Sequence, residues 1–242
     1  MSRTRAPWGM RAGFAGAAAL VRPTMRLLVR QRWEHTERIP RTGAVLAVNH
    51  ISEVDPLSVA HMIYNQGLLP AIMAKAELWK APVLRQVLQT TRMIPVERTA
   101  DAGRSLTAAA EALEEGRVIL VYPEGTVTRD PQGWPMSART GAVRLALKTG
   151  APLIPVGQWG IQELLGYPDR RLRLLPRKTA RIRVGHPVPL DDLRGQPLTS
   201  TVLREGTDRM MDAITQLVAE LRGEPAPEGR WNPRTGRREP TA

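Results

Sequence analysis

Ala44-Val45-Leu46-Ala47-Val48-Asn49-His50-Ile51-Ser52-Glu53-Val54-Asp55-Pro56 is the stretch on which the reading of this chain turns. Its first five residues are uniformly apolar, the pattern of a strand buried on both faces. A polar turn follows at once, and Pro56 stands at a good first position for a helix. Strand, turn and helix in succession make the repeating unit of an α/β fold. In such folds ligands bind beyond the carboxyl ends of the strands. A second apolar run, Val118 to Val121, leads in the same way into Tyr122-Pro123-Glu124-Gly125-Thr126.

Working outward, apolar runs predict strands at 71–74, 118–122 and 153–156, residues 91–96 read as another, and alternation predicts one at 180–184. Helical periodicity predicts helices at 56–64, 78–88, 101–115 and 140–148, with Gly116 and Gly150 as stops. Leu203, Met210, Ile214, Leu217 and Leu221 form a further helical stripe, explained by core packing. The expected fold class is therefore α/β, with a mostly parallel central sheet flanked by helices and an N-terminal amphipathic helical segment that docks on membranes. The expected organisation is a basic N-terminal docking segment at 1–34, a catalytic domain at 35–222 and a disordered tail at 223–242. The tail is rich in Pro, Gly, Arg and Glu and poor in apolar residues.

His50 and Asp55 carry the chemistry of the first turn. A histidine takes a proton from an alcohol at neutral pH, and a carboxylate beside it fixes the tautomer and stabilises the imidazolium. Residues five apart lie about 140° from each other on a helix, so the two side chains meet only if residues 51–54 form a turn. The bland alternatives are a strand-end histidine bonded to a carbonyl and an aspartate capping the helix that Pro56 begins. The second turn, Tyr122 to Thr126, offers backbone amides and a hydroxyl suited to an anion. His35, His61 and His186 lack a partner at telling spacing, read as structural or surface residues, and are too scattered to argue for a metal site.

His-x4-Asp alone is a weak signal, but further blocks follow in a set order. They are Lys75-Ala76-Glu77-Leu78 with Pro82, then Met93-Ile94-Pro95-Val96-Glu97-Arg98, then Tyr122 to Thr126, then Ala151-Pro152-Leu153-Ile154-Pro155-Val156. Over roughly residues 40–160 the chain resembles the glycerolipid acyltransferase family, whose bacterial members acylate lysophosphatidic acid. The resemblance implies that His50 is the base and Asp55 its orienting partner. It implies a lysophospholipid acceptor and a thioester donor, acyl-CoA or acyl carrier protein, with no cofactor and no metal. It places Arg98 on the acceptor's phosphate, a role that suits a guanidinium fork; the alternative is a surface ion pair with Glu97 or Asp101. Lys75 and the N–H of Gly125 are candidates for the oxyanion, Lys75 being equally a surface lysine before a helix. Glu124 cannot favour a phosphate by charge, and either accepts a hydrogen bond from an acceptor hydroxyl or buttresses the turn. Thr126 either caps the turn or binds the phosphate. Two positions depart from the family pattern: Val127 stands where arginine is usual, leaving Arg129 or Arg139 to supply the charge, and Arg85 stands where glycine is common.

Composition is that of a globular protein with an aliphatic core: 42% hydrophobic, one Phe, three Tyr. The absence of cysteine excludes disulfides, a cysteine nucleophile and zinc-thiolate sites. No Gly-x-Ser-x-Gly elbow is present either. The net charge of +12 is uneven, with seven Arg and no acid in residues 1–32 and seven Lys or Arg and no acid in residues 170–183. An anionic membrane and an acidic carrier protein fit such a surface. Nucleic acid is the generic alternative, but no recognised nucleic-acid-binding signature is present, so it is not expected as a partner. The longest uncharged run near the N-terminus, 12–21, is too short to span a bilayer. Trp8, Met10, Phe14, Leu20, Met25, Leu27, Leu28, Val29 and Trp33 alternate with arginines and suit an interfacial helix, against the plainer reading of a helix packed on the protein's own core. The expectation is a peripheral protein on the cytoplasmic face of the cell membrane. Two other readings stand beside it: acylation of another lysophospholipid or a lipid-linked sugar, and a non-enzymatic basic protein binding membranes or nucleic acid.

Overall fold

A computed structural model describes residues 7–96 and 102–240. In chain order the elements are α1 Trp8–Leu28, β1 Val29–Glu34, β2 Ala44–Val48, α2 Asp55–Asn65, β3 Pro70–Lys75, α3 Pro82–Thr90, β4 Ile94–Val96 and α4 Ala102–Glu114. They continue with β5 Val118–Val121, α5 Gly141–Thr149, β6 Leu153–Trp159, β7 Lys178–Val184, α6 Ser200–Arg222, β8 Arg230–Asn232 and β9 Arg237–Glu239. The first seven strands form one sheet in the order β1-β7-β6-β2-β5-β3-β4. Neighbours are parallel throughout except β6 and β7. The α/β architecture read from the sequence is the one observed.

The sequence explains why β2 lies at the centre. All five of its residues are buried, as expected of a strand covered on both faces. Side chains alternate across a strand, so Val45 and Ala47 join one core with Ile119, Leu145, Leu153 and Ile214. Ala44, Leu46 and Val48 join the opposite core with Val59, Met62 and Ile63 of α2. On the first face α6 approaches β6 closely. A Cβ on Gly157 would lie 2.6 Å from Leu217 Cβ, so only glycine permits that contact.

Four expectations are corrected. Residues 78–88 do not form one helix. A 3₁₀ turn at Ala76–Lys80 stops at an extended Ala81, and α3 starts afresh at Pro82, because the residue before a proline avoids the helical region. β1 is a strand the sequence did not announce. It is an edge strand paired only with β7, and its charged residues, typical of a protected edge, masked the alternation. Residues 223–240 are not a featureless tail, since β8 and β9 form a hairpin. What fastens it is ionic rather than apolar: buried Arg230 pairs with Asp208 at 2.6 Å and with Asp212, and Arg238 pairs with Asp130. Finally, α1 does not offer all its apolar residues to the outside. Met10, Phe14 and Met25 are buried, with Phe14 stacked on Tyr64 at 5.9 Å, while Trp8, Leu20 and Leu27 stay exposed.

Candidate active site

Parallel register brings the carboxyl ends of β2, β5 and β6 to one edge. Ala47 is level with Val121 and Val48 with Val156. Carried three residues on, the first pairing sets His50 beside Glu124, and the contact is made: the His50 N–H donates to Glu124 Oε1 at 2.8 Å. The His50 carbonyl accepts from the Thr128 N–H at 2.7 Å. The turn after β5 therefore grips the backbone of His50 from both sides. On the other flank Asn49 and Gln158 exchange three hydrogen bonds of 2.7–3.1 Å, locking the end of β2 to the end of β6.

Residues 51–54 form a turn, closed by the Asp55 N–H donating to the Ser52 carbonyl at 3.1 Å. The turn sends the Asp55 carboxylate backwards. Its Oδ2 accepts from His50 Nδ1 at 2.9 Å, from the Ile51 N–H at 2.7 Å and from the Ser52 N–H at 2.9 Å. The alternative role as a helix cap is thereby excluded, because the side chain caps nothing in α2. Asp55 is fully buried, and burial raises its pKa above the ordinary carboxylate value while the three donors hold the rise back. Since a carboxylate only accepts, Nδ1 carries the shared proton and Nε2 keeps its lone pair. The ring of His50 is 15% exposed, enough to meet a small reacting group. It lies against the Tyr122 ring at 4.3 Å and 30°. Burial pushes the Tyr122 phenol well above its ordinary value, so it serves as a neutral wall.

Glu124 has both oxygens engaged, the second accepting from the Met136 N–H at 3.0 Å. Of the two roles open to it in the sequence, the buttress is the one observed. Burial pushes its carboxyl up to about 8, against the pull of the two amides. Gly125 turns at φ +72°, and its N–H closes that turn on the Tyr122 carbonyl at 3.0 Å. That N–H is thus spent in the fold, and the expectation that it serves an oxyanion is withdrawn. Thr126 is half-buried beside the turn. Lys75 lies on the same edge but two strands from His50, level with Pro123 by the β3–β5 register, and is exposed. Arg98 lies outside the described residues. Val127 is buried and, being apolar, brings no charge to the turn. Arg139 comes back to the turn: its N–H donates to the Pro123 carbonyl at 2.9 Å. Its Nε would lie 3.3 Å from a Cβ on Gly125. Among the described residues its guanidinium has no hydrogen-bond or ion-pair partner.

Sequence reading missed Asn49, Thr128, Gln158 and Met136 as parts of the frame. Gln158 carried a signal, being the one polar side chain in the otherwise apolar Leu153–Trp159, and the structure shows it buried. Met136 carried none, since it acts through its backbone. A cavity of about 580 Å³ opens at the opposite end of the sheet, against Gly43 and Pro152, and contains none of these residues. Among the described residues no cluster of His, Asp or Glu could hold a metal ion.

The family model described as Acyltransferase matches residues 30–159. The chain is 34% identical over 124 residues to the 1-acyl-sn-glycerol-3-phosphate acyltransferase of Borreliella burgdorferi, covering 50% of this chain and 48% of that one. It is 26% identical over 189 residues to the Bacillus subtilis protein of the same name, covering 76% and 84%. This chain thus matches about half the length of the Borreliella relative and most of the Bacillus one. The crystal structure of the 1-acyl-sn-glycerophosphate (LPA) acyltransferase PlsC from Thermotoga maritima superposes with a TM-score of 0.66 at 22% identity, over 90% of this chain and 83% of that one, and so shares its fold.

Proposed function

The chain belongs to the acyltransferase family, and from that premise we propose that it moves a fatty acyl group from a thioester to the free hydroxyl of lysophosphatidic acid, giving phosphatidic acid. The observation that carries the reading is the His50 Nδ1–Asp55 contact of 2.9 Å, held at the sheet edge by Glu124 and Thr128. In this reaction His50 Nε2 takes the hydroxyl proton as the oxygen attacks the thioester carbonyl. Asp55 stabilises the imidazolium. The tetrahedral intermediate collapses, the C–S bond breaks, and the departing sulfur takes the proton from His50. Base catalysis of this kind contributes about 10²–10⁴-fold. No acyl-enzyme forms, in keeping with a chain that lacks cysteine.

Lys75 is the proposed oxyanion donor, reaching across the edge on its long side chain. Arg139 and Arg98 are the proposed partners of the acceptor's phosphate, Arg139 because its guanidinium, without a partner among the described residues, stands at the Gly125 turn. Acyl-CoA and acyl carrier protein both suit the basic surface as donors. The names of the relatives support the lysophosphatidic acid acceptor. The buried Val127, which brings no charge to the turn, keeps another lysophospholipid or a lipid-linked sugar as the second reading. No helix among the described residues is long and apolar enough to cross a membrane, and α1 exposes Trp8, Leu20 and Leu27. We place the protein peripherally on the cytoplasmic face of the cell membrane through that side of α1.

The test is thiol release from palmitoyl-CoA in lipid vesicles, with and without lysophosphatidic acid, for the parent and His50→Ala. Acceptor-dependent release that the substitution abolishes is expected. Release that ignores either the acceptor or the substitution would overturn the reading. Arg139→Ala should lower kcat/KM for lysophosphatidic acid roughly tenfold to hundredfold, the worth of a charge-assisted hydrogen bond, and leave a monoacylglycerol acceptor unaffected.

A further inference from the structure

The connection between β6 and β7 has a composition unlike that of an ordinary loop. Residues 165–178 hold five basic residues and one acid, with Leu172, Leu174 and Leu175 set among the arginines. These leucines are 59%, 46% and 86% exposed. Single exposed apolar residues are common, but three within four positions, separated or flanked by arginines, form a patch that water does not favour. The base of the loop is nevertheless firm. Leu165 bridges Leu172, and the Arg173 N–H donates to the Leu164 carbonyl at 2.8 Å. The loop is built to hold its apolar tip outward.

Its base is also tied to the catalytic turn. Ser52 Oγ donates to the Leu165 carbonyl at 2.6 Å, and Arg170 pairs with Glu53. On its far side Arg177 donates to the carbonyls of Arg26 and Val29, where α1 ends beside exposed Leu27. Beneath lies one apolar cluster that joins Met25 and Val29 to Ile51 and Leu164. The end of α1, the turn that orients His50 and the root of the loop are thus packed together in one place.

We propose that the 165–178 loop is a membrane-inserting element that seats the His50–Asp55 turn against an anionic bilayer. Leu172, Leu174 and Leu175 enter the boundary between headgroups and acyl chains, and Arg171 meets a lipid phosphate. Arg170, Arg173 and Arg177 are engaged within the fold, with Glu53, with Asp169 and with the carbonyls of Arg26 and Val29. Charge selects this occupant. Arg171 has no side-chain partner among the described residues, so its guanidinium is open to an anionic surface. The proposal deepens the reading of a lipid acceptor, because it brings the base to the surface in which such an acceptor resides. It is nevertheless testable without turnover.

The experiment is sedimentation of the full chain with vesicles of phosphatidylcholine alone and of equal parts phosphatidylcholine and phosphatidylglycerol. The parent should bind the anionic vesicles. Leu172→Ser/Leu174→Ser/Leu175→Ser should weaken that binding by about tenfold or more. Arg171→Ala should weaken it about fivefold, the worth of one basic residue near an anionic surface, with no effect on neutral vesicles. Thermal unfolding of each variant checks that it is folded, and Arg171→Ala, at an exposed unpaired side chain, keeps the test decisive if the triple variant is not. Unchanged vesicle binding by the variants would overturn the proposal, as would a loss confined to acyl carrier protein binding. Thiol release from a water-soluble short-chain donor and acceptor, run on the parent, reads the reaction separately. Failure there with vesicle binding as expected sinks the acyltransfer and leaves the surface standing.

Discussion

Replacing Glu124 by glutamine keeps the shape of the buttress and changes its chemistry. The parent carboxyl offers two acceptor oxygens to two backbone donors, the N–H groups of His50 and Met136. Glutamine offers one oxygen and one NH₂, so one buried N–H faces a donor. Leaving such a group unsatisfied costs about 1–3 kcal/mol. For a chain of this size that lowers Tm by roughly 2–12 °C. A second effect runs the other way with pH. Burial raises the folded carboxyl from 4.5 to about 8. The native state therefore binds more protons than the unfolded chain between those values, and the parent loses stability as pH rises through that window. At about 1.4 kcal/mol for each tenfold change in proton affinity, the loss is at most about 5 kcal/mol. Glutamine has no such dependence. The assay is urea unfolding followed by tryptophan fluorescence at pH 5 and pH 9, comparing variant with parent so that all other titrations cancel. The variant should be the less stable at pH 5, and the gap should close or reverse by pH 9. A gap that is the same at both would refute the argument that a buried, backbone-bound carboxyl is held at the site. Activity should fall at every pH, because the clamp on His50 is loosened; a misplaced base can cost on the order of 10²-fold.

Asp55→Asn keeps an oxygen for the Ile51 and Ser52 amides but removes the charge that stabilises the imidazolium. Thiol release should drop about 10²–10⁴-fold, with a Tm shift too small to account for it. His61 is buried edge-on to Trp33 at 5.2 Å, with neither ring nitrogen bonded among the described residues. Burial lowers its pKa from 6.5, helped by Arg22 and Arg26, so the unfolded chain binds the extra proton and stability falls as pH drops below about 6.5. His61→Leu should flatten that acid limb in a plot of unfolding free energy against pH, and an unchanged slope would count against the burial argument. Arg230→Ala leaves Asp208 and Asp212 without their cation. It should free the β8–β9 hairpin, seen as faster proteolysis after Gly223 and loss of amide-exchange protection at Ser137, whose N–H donates to the Trp231 carbonyl.

The local pattern of the chain was enough for the α/β class and for most of the strands, and it offered the pairing of His50 with Asp55 as one reading beside a helix cap, a choice that the family resemblance favoured and the folded turn made. Each of these depends on neighbours in sequence: an apolar run, a proline, five residues of a turn. The edge strand β1 was illegible because its charges are those of a strand with one neighbour, and having one neighbour is a property of the sheet. The hairpin at 230–239 was illegible because its partners, Asp208, Asp212 and Asp130, lie in other elements. The same holds at the site. That Glu124 grips a backbone amide 74 positions away follows from the packing of two strand ends, while Gly125 spends its N–H within its own turn and Arg139 stands beside that turn because the segment after β5 folds back on Pro123. Side-chain types and their spacing specify which groups can do chemistry. Which of their donors and acceptors remain free to do it is settled only after the backbone has claimed its own hydrogen bonds, and that accounting exists only in the folded molecule.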